Sequence, residues 1–307
     1  MLLKKKERNE TGGVNIGIIT VMDRHYHPNR RLIEAGGQLG HRVDLIHPYR
    51  VWPGFEGADI TLVGEKSWQL PDVILPRQGA TIGESCLSLI QQFSLLGIPV
   101  VNGIDSIRLA RNQFFTLQAF AGAGIPFPDT IFINDMDGFY RAVERLGGLP
   151  VVVKQISGRQ GKNIFLINNI KDSESIVHKH LDKYFGLLVQ RFIPTKARTD
   201  IRVLMVGGEI IGVLALKPKA SDFRANFHLT GTGESMSLTP ELEKIARRAA
   251  HAVGLEIAGI DLILSETHGV NAIEVNYAPG FRGMEAITGV DVAFKIVNYV
   301  KNVCNGV

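Results

Sequence analysis

Two carboxylates and one carboxamide in the last quarter of the chain have the types and spacing of a hard-cation site. Glu274 and Asn276 stand two apart in an apolar run that reads as a strand. Their side chains therefore project from one face while Val275 turns into the core. Asp261 ends the apolar run of a second strand, joined to the first by a turn at His268-Gly269. Oxygen-only donors of this kind suit Mg²⁺ when nucleotide phosphates supply its remaining ligands. The same pattern describes a solvated polar edge, so these three residues do not decide alone.

A second group of residues could meet an anion. Lys154 closes the strand LPVVVK, immediately ahead of Gly158 and Gly161. Glycines let backbone N–H groups approach a phosphate, and a neighbouring lysine adds a point charge. No GK[ST] follows, so this is not a Walker A loop, and an ordinary strand-to-strand turn fits the same residues. Asp200 and Arg202 share one strand face in DIRV, and Arg202, Lys217, Lys219 and Arg224 gather positive charge along a hairpin and the loop after it. Such a cluster could cradle a transferring phosphoryl group, or form a solvated basic face.

These side chains need strands to hold them, and the pattern supplies them. Apolar or β-branched runs at 14–21, 42–46, 71–76 and 98–101 alternate with helical spacing at 31–39 and 84–96, which implies a parallel α/β unit. A helix is expected from about residue 105 to Gly124. Strands at 130–133, 149–154, 163–167 and 186–192 then alternate with helices at 136–146 and 173–184. Strands 200–206 and 209–216 form a hairpin about Gly207-Gly208. Thr239, with Pro240 and Glu241 behind it, caps a helix reaching Gly254. Strands 258–264 and 270–275 and a helix at 290–302 complete the chain. The expected division is a flexible tail at 1–13, an N-terminal α/β domain at 14–105, a small lobe at 106–190 and a C-terminal lobe at 191–307.

Composition narrows the partners. At 307 residues, 45% hydrophobic and 21% charged, the chain can bury more than one core. The net charge of +4 is mild and its Lys and Arg are scattered, which favours a small anionic ligand over a nucleic-acid groove. Two cysteines without CxxC spacing form neither a disulfide framework nor a zinc site. The opening is basic and polar, and no apolar run is long enough for a membrane span, so a cytoplasmic protein is expected.

The ordered set of motifs resembles the ATP-grasp ligases, specifically the RimK-like group that joins glutamate or related amino acids to a carboxylate. The resemblance is carried by PRQG (76–79), VVNGIDSI (100–107), VVVK (151–154), GRQG (158–161), LVQRFI (188–193), DIRVLMVGGEI (200–210), DFRANFH (222–228), AGIDLI (258–263) and EVNYAPGFRGMEAITGVDVA (274–293). It implies an N-terminal pre-ATP-grasp α/β domain followed by a two-lobed ATP-grasp fold. It also implies that Lys154 contacts ATP phosphates beneath a lid at Gly158–Gly161, and that Gln190, Arg191, Phe192 and Ile193 form the adenine hinge. Asp200 would then lie near the ribose. Arg202, Lys217 and Arg224 would face the γ-phosphate and the acyl phosphate. Asp261, Glu274 and Asn276 would hold Mg²⁺ or Mn²⁺, two ions in all, with Asn226 beside them and Arg77 framing the acceptor site. The partners so implied are ATP, an acceptor carboxylate and an amino-acid amine, in a homo-oligomer.

Several positions depart from the family pattern. Gln113 stands where a second nucleotide-binding lysine is usual, Arg191 replaces an acidic hinge residue, and Asn163 replaces a lid glycine. Leu216 and Leu229-Thr230 stand where polar or basic residues are usual. The expected chemistry is ATP-dependent amide formation through an acyl phosphate. A weakened or inactive nucleotide-binding regulatory module is the competing expectation.

Overall fold

Among the residues described in the computed structural model, 13–64, 69–79, 82–156, 163–216 and 233–306, the strands form four sheets. The first is parallel. β1 (Asn15–Ile19) lies between β2 (Arg42–Ile46) and β5 (Val73–Pro76). Ile16, Ile18 and Ile19 are buried, as expected of a central parallel strand covered on both faces. α1 (His27–Gln38) makes the crossover, and Gly40 closes it at φ +73°, a conformation that costs a glycine nothing. β3 (Val51–Glu56) and β4 (Asp59–Gly64) make a separate antiparallel ribbon that the sequence pattern does not announce, since Pro53 and Gly54 interrupt it.

Beyond α2 (Glu84–Leu95) two expectations are corrected. The stretch at 98–101 gives only one parallel bridge, Ile74 with Val100, because the chain leaves the sheet at once to begin α3 (Ile104–Ala110). The single helix expected from 105 to 124 is two helices, α3 and α4 (Gln113–Gly122). Asn112 divides them, its side chain accepting hydrogen bonds from the N–H groups of Phe114 and Phe115. A side-chain cap of this kind offers the backbone an alternative to continuing the helix.

The second sheet is antiparallel, in the order β6 (Thr130–Ile133), β9 (Leu187–Arg191), β7 (Val151–Lys154), β8 (Ile164–Ile167). Helices α5 (Met136–Arg145) and α6 (Ile170–His180) accompany it; α6 begins three residues ahead of the expected 173. The third sheet is also antiparallel, in the order β12 (Gly233–Ser235), β11 (Glu209–Leu216), β10 (Arg198–Val206), β13 (Ile257–Ser265), β14 (Gly269–Asn276). Its helix α7 (Pro240–Val253) starts where Thr239 accepts from the Leu242 N–H and stops at left-handed Gly254. Two further helices, α8 (Arg282–Thr288) and α9 (Val292–Cys304), follow β14.

Packing ties the first and third sheets together. Ile19 and Phe93 share one core with Ile260 and Val275, and Ile107, Leu117 and Phe120 of α3 and α4 bury in that core too. The second sheet has a core of its own, including Ile133, Phe139, Val151 and Val189. We therefore propose a lobe boundary near Thr130, downstream of residue 106. Among the described residues no helix is long and apolar enough to cross a membrane.

Candidate functional site

The register of the third sheet lines up three charged side chains. On β13 and β14, Asp261 stands opposite Glu274, just where a bulge shifts the ladder. On the other side, β10 sets Arg202 opposite Asp261. The guanidinium grips the carboxylate with both arms, Nε to Oδ1 at 2.7 Å and Nη2 to Oδ2 at 2.5 Å, the planar fork geometry that Arg provides. Asn276 projects beside Glu274, as the strand period requires, and its Nδ2 donates to Glu274 Oε1 at 3.1 Å. From α4, Gln113 Nε2 donates to Glu274 Oε2 at 3.2 Å. Burial pushes the Glu274 carboxyl above its ordinary range, and the nearby Asp261 charge pushes it further.

Across the cleft, the second sheet presents Lys154 from the last position of β7. It is buried, and its Nζ donates to Gln190 Oε1 at 3.2 Å. Gln190 in turn donates to Thr130 Oγ1 at 2.7 Å, which fixes its amide. Burial draws the Lys154 ammonium down to about 8, with the negative charge of Glu274 working the other way. Lys154, Asp200, Asp261 and Glu274 line one cleft, walled by apolar side chains that include Val152, Leu216 and Ile273.

The chain that leaves β9 forms one rim of this cleft through Gln190, Arg191, Phe192 and Ile193. Arg191 turns outward to pair with Asp129 at 2.8 Å. Arg198 secures the rim from below. Its Nη1 donates to the Ile193 carbonyl at 2.7 Å and its Nε to Asp200 Oδ2 at 3.2 Å. Burial raises the Asp200 carboxyl, and Arg198 opposes the shift. Arg198 is a site residue beyond those expected from the sequence, although its alternation with Asp200 and Arg202 along β10 marks all three as sharing a strand face. Gln113 stands out in the sequence as a departure from the family pattern, but nothing in a linear sequence connects it to Glu274, 161 positions away.

Other expected residues fall elsewhere. Gly158, Gly161, Lys217, Arg224 and Asn226 lie outside the described residues, as do Lys219, Leu229 and Thr230. Asn163 adopts φ +61° and donates to Gln155 Oε1 at 2.8 Å, so an asparagine takes the left-handed conformation where the family pattern has glycine. Arg77 is not among the residues that line the cleft; its Nη2 reaches the Pro279 carbonyl at 2.5 Å.

The donors suit a hard divalent ion. Two facing carboxylates and an amide oxygen are the number and kind that Mg²⁺ takes when phosphates complete its shell. Burial, which chiefly raises the Glu274 carboxyl, and repulsion from Asp261, which adds to it, are both costs that a bound cation would offset. Among the described residues no cluster of three His, Cys, Asp or Glu side chains offers an alternative all-protein site.

Comparison with known proteins gives this geometry a family. Residues 14–107 match the RimK PreATP-grasp domain, and residues 110–300 match the RimK-like ATP-grasp domain. A probable alpha-L-glutamate ligase of Thioalkalivibrio sulfidiphilus is 33% identical over 91% of this chain and 93% of its own length. One from Methanococcoides burtonii is 32% identical over 91% and 92%. Among solved structures, a RimK domain ATP-grasp protein from Sphaerobacter thermophilus superposes with a TM-score of 0.75 at 24% identity, over 93% of this chain and 99% of that one. D-alanine–D-alanine ligase from Bacillus anthracis superposes at 0.66 and 16% identity, over 96% and 98%. The chain belongs to the RimK-like ATP-grasp family and is an ATP-dependent ligase built from a pre-ATP-grasp domain and an ATP-grasp fold.

Proposed function

We propose that this ligase activates a carboxylate with ATP as an acyl phosphate and joins it to the amine of an amino acid, with L-glutamate as the amine donor. The observation that carries the reading is the opposition of Lys154 to Asp261 and Glu274 across a single cleft. The names of the curated relatives support glutamate.

In this reading Glu274, Asn276 and Asp261 hold the metal, and bound Mg²⁺ supplies neutralising charge to the nucleotide's phosphates. The Lys154 ammonium binds the anionic phosphate chain from the opposite wall. The polypeptide at 190–193 presents its backbone to the adenine, and Asp200 accepts from the ribose. Arg202 meets the transferring phosphoryl group while it fixes Asp261, and Lys217 and Arg224 add charge to the same group. An acceptor carboxylate oxygen attacks the γ-phosphorus, the bond to ADP breaks, and an acyl phosphate results. The amine then attacks the acyl carbon, phosphate departs with the acceptor's oxygen, and the ammonium proton passes to solvent. The protein contributes mainly position and charge, since phosphoryl transfer asks little covalent work of a side chain.

Isotope transfer tests this sequence of bonds. An acceptor labelled with ¹⁸O in its carboxylate, found by screening peptide and small-molecule carboxylates with L-glutamate and Mg-ATP, is expected to deliver one label to the released phosphate. Mass spectrometry is expected to show the amide product. Unlabelled phosphate alongside amide product would exclude the acyl phosphate.

A further inference from the structure

We propose that Arg198 is a positioning residue that makes the cleft selective for a ribonucleotide over a deoxyribonucleotide. The inference rests on the nucleotide reading above, in which Asp200 accepts from the ribose, and adds the group that sets where and in which form Asp200 does so.

Arg198 opens β10, and the chain reaches it from the rim through one short 3₁₀ turn at Thr195–Ala197. The side chain therefore comes back beneath the rim that the backbone has just left. Its guanidinium meets three groups there. Nη1 donates to the Ile193 carbonyl at 2.7 Å, Nε donates to Asp200 Oδ2 at 3.2 Å, and the guanidinium carbon lies 6.0 Å from the centre of the Phe192 ring. Ile193, Asp200 and Phe192 all line the cleft, as Arg198 itself does. One planar cation thereby fixes the rim, where a base would lie, relative to the carboxylate, where a sugar would lie. The Arg198 side chain is 6% exposed and that of Asp200 15%, so little water competes for the bond between them.

The chemistry of the acceptor makes this arrangement selective. Burial raises the Asp200 carboxyl, Arg198 opposes that shift, and Asp261 adds to it. Arg198 is thus the group that favours the anion, and an ionised carboxylate can only accept. Arg198 holds Oδ2, and among the described residues Oδ1 has no hydrogen-bond partner. A sugar hydroxyl can donate to that oxygen. A deoxy carbon cannot, and it would leave a desolvated carboxylate oxygen short of a partner, the kind of mismatch that separates analogues most sharply. Without Arg198 the carboxylate is neither pinned nor favoured as an anion, and the selectivity goes with it. A residue that merely supported the rim would act differently, since its loss would weaken every adenine nucleotide alike.

Calorimetric titration of the full chain with Mg-ADP, Mg-2′-deoxy-ADP and Mg-3′-deoxy-ADP tests this without an identified acceptor. Wild type is expected to bind ADP at least about ten-fold more tightly than one of the two deoxy analogues. Arg198→Met is expected to bring that ratio close to unity, as is Asp200→Asn. The double variant is expected to lower it no further, because both residues act through one carboxylate. An equal loss of affinity for all three nucleotides in Arg198→Met would make Arg198 a support of the rim alone and overturn the proposal. So would a wild type that binds the three alike, a result that needs no variant to fold. A wild type that binds none of them would instead sink the nucleotide reading itself, and the proposal with it.

Discussion

Asp261 and Glu274 face each other across β13 and β14, and Asp261 is at the same time gripped by both arms of Arg202 from β10. Asp261 is therefore charge-balanced by Arg202, while Glu274 accepts from the amides of Asn276 and Gln113 and, in the proposed arrangement, faces the cation.

Removing the charge of Asp261 exposes both roles. Asp261→Asn keeps the shape but leaves Arg202, with a side chain only 12% exposed, without its counter-ion. A stability loss of about 1–3 kcal/mol in urea unfolding is expected, with turnover falling by about a hundredfold or more. Combining Arg202→Met with Asp261→Leu is expected to recover the stability and none of the turnover, which separates the two contributions.

Lys154 sets a pH dependence. Burial holds its folded value at about 8, so the ammonium proposed to grip phosphate is present below that pH and lost above it. Accordingly kcat/KM for ATP is expected to fall as pH rises through about 8, and the inflection to vanish in Lys154→Arg. Stability runs the other way. An unfolded lysine keeps its proton to about 10.4, so between about 8 and that value the unfolded chain binds more protons and the unliganded fold gains stability with rising pH. A pH series of thermal unfolding on wild type and Lys154→Met measures the difference.

Much of this site was legible because strand periodicity is a short-range rule. The alternation that pairs Glu274 with Asn276, and Asp200 with Arg202, needs only neighbouring residues, and both pairs fall on the strands expected for them. The Thr239 cap and the Gly207-Gly208 turn were equally local. What escaped depends on distant partners or competing local signals. Asn112 carries a cap that outweighs helical continuity, and Pro53 and Gly54 mask a ribbon. The contact from Gln113 to Glu274 exists only once α4 packs near β14.

We propose that Gln113 is a positioning residue for the metal in this arrangement. Its amide orients Glu274 Oε2, and partners of this kind commonly set metal affinity over a range of about 10–100-fold. Gln113→Ala is expected to raise the Mg²⁺ concentration for half-maximal activity by about ten-fold, with the fold and the pH inflection of Lys154 retained. Mg²⁺ titrations at fixed ATP, with circular dichroism as the folding control, measure this.

Asn102 pins the N-terminal sheet to the C-terminal lobe. Its buried amide donates to the carbonyls of Ile257 and Tyr277 and accepts from the N–H groups of Glu256 and Ile257. Asn102→Ala strands all four backbone groups, and a loss of about 3 kcal/mol in denaturant unfolding is expected. Adenine-nucleotide binding in the folded variant is expected to change little, since Asn102 is not among the residues that line the cleft.

Nucleotide-dependent metal binding tests the central arrangement most directly. Mn²⁺ titrated against the full chain with ADP, followed by electron paramagnetic resonance, is expected to bind tightly to wild type only when nucleotide is present. Glu274→Gln is expected to abolish that tight binding, and Lys154→Met to weaken it through the nucleotide. Undiminished, nucleotide-dependent Mn²⁺ binding in Glu274→Gln would contradict the placement of the metal between β13 and β14.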